Sequence, residues 1–131
     1  MEELKIGITG KQTVTVTDDM TARAVGSGEL PVLATPAMIA LMENMAYQSV
    51  KPYLEEGQGT VGTMMHVKHM ASTPVGVEIS IETELVQVDR KRLVFEVRAF
   101  NCGDCIGEGV HERFIINNDR FMEKTNRKAL S

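Results

Sequence analysis

The sequence predicts an α+β fold in which a curved antiparallel sheet wraps around one long central helix. The segment between residues 35 and 51 has helical spacing and is apolar on most of its surface, which is typical of a helix enclosed by other structure. From residue 60 onwards the hydrophobic pattern has period two, with one apolar and one polar face per strand. That alternation is typical of an antiparallel sheet covered on one side.

The composition indicates a single globular domain spanning residues 1–131. Hydrophobic residues make up 43% and charged residues 24%, so a core can form without a metal or disulfide. The net charge of −4 and the lack of a basic block argue against nucleic acid as a partner. No run approaches the roughly 20 apolar residues of a membrane span. The acidic N-terminus lacks a signal-peptide core, so we expect a cytoplasmic protein.

The N-terminal half is expected to form two strands followed by the helix. Alternating residues predict strands at 13–17 and 20–25. Thr35 is a good N-cap, Pro36 fits the first helical position, and Pro52 marks the exit.

The C-terminal half is expected to form a four-stranded meander and a short basic helix. The strands are predicted at residues 60–70, 77–88, 92–100 and 105–116, and the helix at 118–130. A single sheet curled around one helix is the hotdog arrangement. Because such a sheet leaves its edges unpaired, we expect a homodimer, with a tetramer as the larger alternative.

Glu43 is the first candidate for chemistry, because it lies among apolar neighbours on the predicted helix. A carboxylate in such surroundings either finds a partner or has a raised pKa. It is therefore either a catalytic group or a carboxylate that pairs with a structural arginine or reaches solvent. Thr35 lies eight residues earlier, about 12 Å along the helix axis, too far for a direct hydrogen bond. The two residues would flank an extended ligand or belong to two subunits' halves of one site.

Strand phase separates the three histidines. His69 falls on the apolar face with Val61, Thr63, Met65 and Val67, so it is a candidate site residue, or else a satisfied core histidine. His66 points outward unless a bulge exchanges the two. His111 shares a face with Arg113 and is expected on the sheet surface. Gly62 permits a close approach of the backbone, or marks a bulge.

The two cysteines, Cys102 and Cys105, are expected in a hairpin turn. A zinc site needs about four ligands, and the sequence has no second Cys or His pair with metal spacing, so no metal is expected. Phosphate-binding loops, dinucleotide fingerprints and nucleophile elbows are also absent.

Three segments together resemble hotdog-fold thioesterases of the fluoroacetyl-CoA thioesterase type. They are residues 34–43, 62–76 and 107–113, in matching order and spacing. The resemblance implies a homodimer that hydrolyses a short acyl-CoA, with coenzyme A as part of the substrate and no separate cofactor. It places the family's catalytic residues on Thr35, Glu43 and His69, and the glycine near the thioester carbonyl on Gly62.

Two departures leave the acyl group open. The loop before the helix, residues 29–33, lacks the family's aromatic lid, and Asn44 replaces an aromatic residue. The mechanism expected is acyl transfer to water, with His69 and Glu43 supplying acid–base function. Glu43 would either activate the water or attack the carbonyl itself, and Thr35 would hydrogen-bond the reacting groups or share in the proton relay. The alternative is a module on the same fold that binds acyl-CoA or an apolar ligand without turnover. A hydratase is disfavoured because the Asp/His loop pair of such enzymes is missing.

Overall fold

A single long helix lies across one face of a five-stranded antiparallel sheet in the computed structural model, which describes residues 3–130. The strands are β1 (Thr9–Thr15), β2 (Gln58–His69), β3 (Glu78–Asp89), β4 (Arg92–Asn101) and β5 (Asp104–Asn117). The helices are α1 (Ala22–Val25), the long α2 (Thr35–Val50) and α3 (Asn118–Asn126). The predicted α+β architecture is confirmed.

The core forms between α2 and the inner face of the sheet. Met38, Met42, Ala46 and Val50 recur every four residues on α2, and all are fully buried. The sheet contributes alternate residues of β3 and β4, as the period-two pattern predicts: Ile79, Ile81, Leu85, Leu93, Phe95 and Val97. Burial of this helical stripe fixes how α2 is rotated, and therefore which of its other side chains reach the sheet.

The predicted strand at residues 20–25 is wrong, because Ala22–Val25 form a short helix instead. Thr21 caps it by accepting a hydrogen bond from the Ala24 N–H at 3.2 Å, and Gly26 closes it with φ of 81°. These local caps satisfy backbone groups that a strand without a neighbour would leave exposed. The turn leads directly into the segment before α2.

The helix also begins one residue earlier than predicted. Ala34 is the N-cap, Thr35 is already helical, and no side chain caps this end. The preceding backbone is fixed by bonds from Leu33 N–H to the Thr73 carbonyl and from Ala34 N–H to the Met20 carbonyl, both 2.8 Å. The hydroxyl of Thr35 is therefore released from capping.

The strand order differs from a simple meander. β3, β4 and β5 are consecutive neighbours, but β2 pairs with β5, and β1 takes the place beside β3, giving the order β1-β3-β4-β5-β2. The hydrophobic pattern indicates which face of each strand is buried but not which strand lies beside it, so the predicted meander order is wrong for β2. Among the described residues β2 is an edge strand, twelve residues long.

A bulge in β2 sets the phase of the site. The pairing with β5 shifts between Gly62 and Met64, so the extra residue at this point reverses the alternation. Beyond the bulge His69 faces the helix and His66 is exposed, as predicted. Before it the prediction is wrong: Gly62 faces the helix, whereas Val61 lies opposite the exposed Phe114.

Two other regions follow the sequence closely. Cys102 and Gly103 form a tight turn between β4 and β5, with φ of 50° and 85°, and both cysteines are free thiols. α3 extends from β5 and continues into a 3-10 turn, Arg127–Leu130, all of it exposed. None of the helices within residues 3–130 has the length and apolarity needed to cross a bilayer.

Candidate active site

Thr35 and His69 form a hydrogen-bonded pair at the start of α2. The Thr35 Oγ1 to His69 Nδ1 distance is 2.7 Å. Thr35 is positioned by the first helical turn, and His69 is the last residue of β2. A hydroxyl bonded to an imidazole nitrogen is the arrangement in which a histidine can take the hydroxyl proton as the oxygen attacks a carbonyl. Both residues were candidates from the sequence analysis, and in the structure they are in contact.

The pair opens onto a cavity of about 290 Å³. Its walls come from α1, the loop that follows it, and the chain beyond β2, and they include Ala22, Ser27, Val32 and Ser72. The Nε2 atom of His69 is inaccessible to solvent and has no hydrogen-bond partner. One imidazole nitrogen is thus bonded to Thr35 while the other lacks the partner that buried polar groups normally have.

A larger recess of about 740 Å³ lies at the far end of α2, between Tyr53 and the N-terminal segment 5–9. It brings no hydroxyl together with an imidazole, and its Ser49 hydroxyl donates to the Ala46 carbonyl. We therefore assign chemistry to the smaller cavity, where a reactive pair is already formed.

Glu43 lies in a second cluster, with Gly62 and Arg113. A Glu43 Oε2 to Arg113 Nη1 distance of 3.8 Å makes an ion pair, and the Glu43 side chain is 44% exposed. A Cβ placed on Gly62 would lie 3.0 Å from Glu43 Oε2, 3.3 Å from His111 Cε1 and 3.4 Å from Arg113 Nη1. The missing side chain of Gly62 therefore leaves a recess bounded by a carboxylate, an imidazole and a guanidinium.

His111 and Arg113 belong to this cluster, although the sequence predicted them on the sheet surface. That prediction is wrong: His111 is 1% exposed, Arg113 is 7% exposed, and both face α2. Arg113 pairs in the sheet with Gly62, at the irregularity in β2, and there its guanidinium meets the carboxylate of Glu43. Glu43 was the signal in the sequence that could have predicted the burial of Arg113. A carboxylate on an apolar helix face is stabilised by a basic residue on the strand that packs against it.

Burial dominates the electrostatics of the cluster. It lowers the pKa of His111 below its ordinary 6.5, with the neighbouring Arg113 charge acting in the same direction. A hydrogen bond to the Met64 carbonyl and the charges of Glu43 and Glu112 act in the opposite direction, less strongly. Burial also lowers the pKa of Arg113, and the charge of Glu43 opposes that shift.

The two clusters lie on one side of the same helix but are separate in this chain. Thr35 and Glu43 are eight residues apart, about 12 Å along the axis of α2. Thr35 is bonded to His69, whereas Glu43 is paired with Arg113. Within residues 3–130 no group of three or more His, Cys, Asp or Glu side chains is placed to hold a metal ion.

Known protein sequences resemble this chain over most of its length. Residues 16–119 match the family described as FlK, fluoroacetyl-CoA-specific thioesterase. A fluoroacetyl-CoA thioesterase from Streptantibioticus cattleyicolor is 40% identical over 98 residues, which cover 75% of this chain and 70% of that protein.

Several solved structures have the same fold as this chain. A structure of the fluoroacetyl-CoA thioesterase FlK is 34% identical, with a TM-score of 0.91 over 97% of this chain and 98% of that one. A Thermus thermophilus thioesterase superfamily member is 29% identical, with a TM-score of 0.89 over 98% and 96% of the two chains. A hotdog-like protein from Thermanaerovibrio acidaminovorans, 19% identical, has the same fold, with a TM-score of 0.86 over 94% and 91%. The predicted hotdog fold is confirmed, and the chain belongs to the FlK family of fluoroacetyl-CoA-specific thioesterases.

Proposed function

We propose that this protein hydrolyses the thioester of a small acyl-CoA to the free acid and CoA. The observation that carries the proposal is the Thr35–His69 pair, held at 2.7 Å beside a cavity at the start of α2. Family membership supports thioester hydrolysis as the reaction class. The departures in the loop before α2 and at Asn44 leave the acyl group to experiment.

In the proposed first step Thr35 Oγ attacks the thioester carbonyl carbon as its proton passes to His69 Nδ1. Collapse of the tetrahedral intermediate breaks the C–S bond, and the proton on His69 goes to the departing CoA sulfur. Backbone N–H groups in the first turn of α2 have no intrahelical partner and are oriented to stabilise the developing oxyanion.

In the second step a water molecule attacks the acyl-Thr35 ester and gives its proton to His69. Collapse of the second tetrahedral intermediate releases the acid and returns a proton to Thr35 Oγ, so the cycle consumes one water and needs no cofactor. Direct attack by water held on the same pair gives identical products. Trapping an acyl-enzyme in single-turnover mass spectrometry distinguishes the two routes.

Glu43 is proposed to act from the opposite side of a site that two copies share. The long edge of β2 is unpaired among the described residues and suits antiparallel pairing with a second copy. A two-fold axis near the bulge at the middle of β2 would bring the Gly62 recess of one copy toward the His69 end of the other. There Glu43 would orient the attacking water or the acyl group beside Gly62.

The CoA phosphates need cations near the mouth of such a site. The candidates are the basic turn at residues 90–92 and the basic residues of α3 and its extension. Arg92 is already bonded to Glu112, and Arg127 to Glu123. A CoA substrate agrees with the cytoplasmic location expected from the sequence.

The reaction is tested by thiol release from a panel that includes acetyl-, fluoroacetyl-, propionyl- and longer acyl-CoA thioesters. We expect turnover of at least one small thioester, lost in Thr35→Ala and retained in Thr17→Ala, an exposed threonine outside the cavity. Saturable binding without thiol release across the panel would show the non-catalytic module instead.

The shared site is tested by mixing two inactive variants, Thr35→Ala and Glu43→Gln, under conditions that exchange subunits. If each site takes Thr35 from one copy and Glu43 from the other, a mixed dimer contains one intact site. A statistical mixture then recovers about a quarter of the parent activity. If both residues act within one chain, mixing restores nothing. A 14.5 kDa species in light scattering at micromolar concentration would exclude the dimer altogether.

A further inference from the structure

The hydrogen bonds of His111 fix which of its nitrogens carries the proton. Its Nδ1 lies 2.9 Å from the Met64 carbonyl oxygen, which can only accept, so Nδ1 carries a proton and donates it. Its Nε2 lies 3.2 Å from Arg113 Nη1, and a guanidinium can only donate, so Nε2 is unprotonated and accepts. Both bonds are satisfied together by one form of the ring, the neutral Nδ1–H tautomer.

The guanidinium of Arg113 is held on three sides. Nε donates to Thr60 Oγ1 at 2.8 Å, Nη2 donates to the Thr60 carbonyl at 3.0 Å, and Nη1 donates to His111. The ring of Tyr47 lies 5.9 Å from the guanidinium carbon. Nη1 is also the nitrogen nearest to Glu43. Of the partners of Arg113, His111 is the one bonded to the nitrogen that faces Glu43.

We propose that His111 is a positioning residue for turnover: its unprotonated Nε2 holds Arg113 Nη1 in place, and Arg113 in turn orients the carboxylate of Glu43 beside Gly62. The proposal rests on the proposed function, since it assigns Glu43 to the reacting site. His111 touches no substrate in this scheme and acts only through Arg113.

A purely structural role for His111 would have different consequences. The imidazole is buried against the ring of Phe95, with ring centroids 6.1 Å apart, so its removal would weaken packing whatever Arg113 does. Packing depends on the volume of the side chain, whereas positioning depends on an acceptor at the place of Nε2. The test must therefore vary the acceptor while following the folded state separately.

Substitution by the two amides varies the acceptor. In His111→Gln the amide oxygen reaches the place of Nε2 and accepts from Arg113, so kcat should stay within about threefold of the parent. In His111→Asn the amide reaches only the place of Nδ1, so kcat should fall about 10- to 100-fold, as expected for a misplaced catalytic group. His66→Gln, on the exposed face of the same sheet, is the matched control and should change nothing.

A double-mutant cycle shows whether the effect passes through Arg113. In an Arg113→Gln background, His111→Asn should cost no more than about twofold in kcat, because the contact it removes is already gone. An equal loss in both backgrounds would show that His111 acts independently and would overturn the proposal. Absence of turnover in the parent would instead overturn the proposed function.

The tautomer is tested in the unsubstituted protein, where folding of variants is not at issue. Nitrogen-15 spectra at pH 7 should show His111 with a protonated Nδ1 and a bare Nε2, and the Arg113 Nε–H should be slow to exchange. A proton on Nε2, or a doubly protonated ring, is incompatible with acceptance from Arg113 and would overturn the proposal even if the amide variants fail to fold.

Discussion

Two histidines face the same helix of this protein, and their surroundings are opposite. His111 is 1% exposed and both of its ring nitrogens are bonded, one to the Met64 carbonyl and one to Arg113. His69 is half-buried, bonded only through Nδ1 to the exposed hydroxyl of Thr35, and its Nε2 has no partner. The hydrogen bonds of the first ring fix its tautomer, whereas the second ring keeps one nitrogen without a hydrogen-bond partner.

The same contrast separates the hydroxyls. Thr60 is fully engaged with Arg113 through both its side chain and its carbonyl. The Thr35 side chain does not cap the helix, and among the described residues its hydroxyl is hydrogen-bonded to His69. A nucleophile and a base need a position that tolerates change in charge, and positioning groups need one that does not. Reactivity in this fold is therefore expected at the start of α2, and rigidity at its middle.

The strongest test of this comparison is His69→Ala beside His66→Ala. Removal of a positioned acid–base group costs about 10² to 10⁴ in rate, whereas an exposed histidine on the outer face should cost almost nothing. Thiol release under saturating acyl-CoA measures both. Circular dichroism and the thermal midpoint must show that each variant is folded.

Two results would break the comparison. Greater sensitivity of His66 would mean that the chemistry lies on the outer face of the sheet. If neither substitution changes the rate of thiol release, Glu43 acts without an imidazole, or the protein does not hydrolyse thioesters.

A second test fills the recess in the rigid cluster. Gly62→Ala adds a methyl group 3.0 Å from Glu43 Oε2, and the carboxylate can give way because its side chain is 44% exposed. We expect the free energy of unfolding to change by about 1 kcal/mol or less, and turnover to fall about 10- to 100-fold as Glu43 is displaced. Chemical denaturation and thiol release measure the two effects. Unchanged turnover would place the reacting groups away from Gly62.

The sequence was sufficient for the features that depend on strong periodicity. The apolar stripe of α2 and the alternation of β3 and β4 gave the core residues and the α+β class. Thr35 and Glu43 lie on α2, and His69 and Gly62 lie on the strand face toward it, with Thr35 and His69 in contact and Glu43 beside Gly62. These residues stood out because each is a polar group or a glycine in an otherwise apolar pattern.

What the sequence missed depends on local geometry that periodicity does not record. The bulge after Gly62 reverses the phase of β2 with one extra residue. Thr21 and Gly26 end a helix where alternation favoured a strand. The inward orientation of His111 and Arg113 follows from the pairing of β5 with both β2 and β4, a long-range property. Thr35, Glu43, His69 and Gly62 were singled out from local signals in the sequence, whereas the burial of His111 and Arg113 depends on sheet pairing and was not predicted.

The bonded histidine also predicts how stability depends on pH. Burial and Arg113 lower the pKa of His111 below 6.5, against the weaker influence of Glu43 and Glu112. As the pH falls through about 6.5, His111 therefore becomes protonated in the unfolded chain while it is still neutral in the folded chain. Stability should fall as pH drops below about 6.5, by at most about 1.4 kcal/mol per pH unit for this one group.

Comparison with His111→Gln isolates that contribution. The two proteins share every other titratable group, so the difference between their thermal midpoints from pH 7.5 to 5.0 reports His111 alone. The parent should lose stability more steeply than the variant over this interval. Parallel curves would mean that His111 takes up a proton as readily in the folded state as in the unfolded one.

The smallest effect is expected at the cysteines, because among the described residues no hydrogen bond of either thiol involves Thr35, His69 or Glu43. Cys102 occupies the turn between β4 and β5, and Cys105 donates weakly, at 3.3 Å, to the carbonyl of Gly107, the residue that pairs with His69 in the sheet. Neither thiol is therefore placed to take part in proton transfer at the Thr35–His69 pair. Replacing both by Ser should leave turnover within about threefold of the parent, with any change appearing in the thermal midpoint as altered turn stability. A loss above about a hundredfold, about 2.7 kcal/mol of barrier, would mean that the turn and not the start of α2 carries the chemistry.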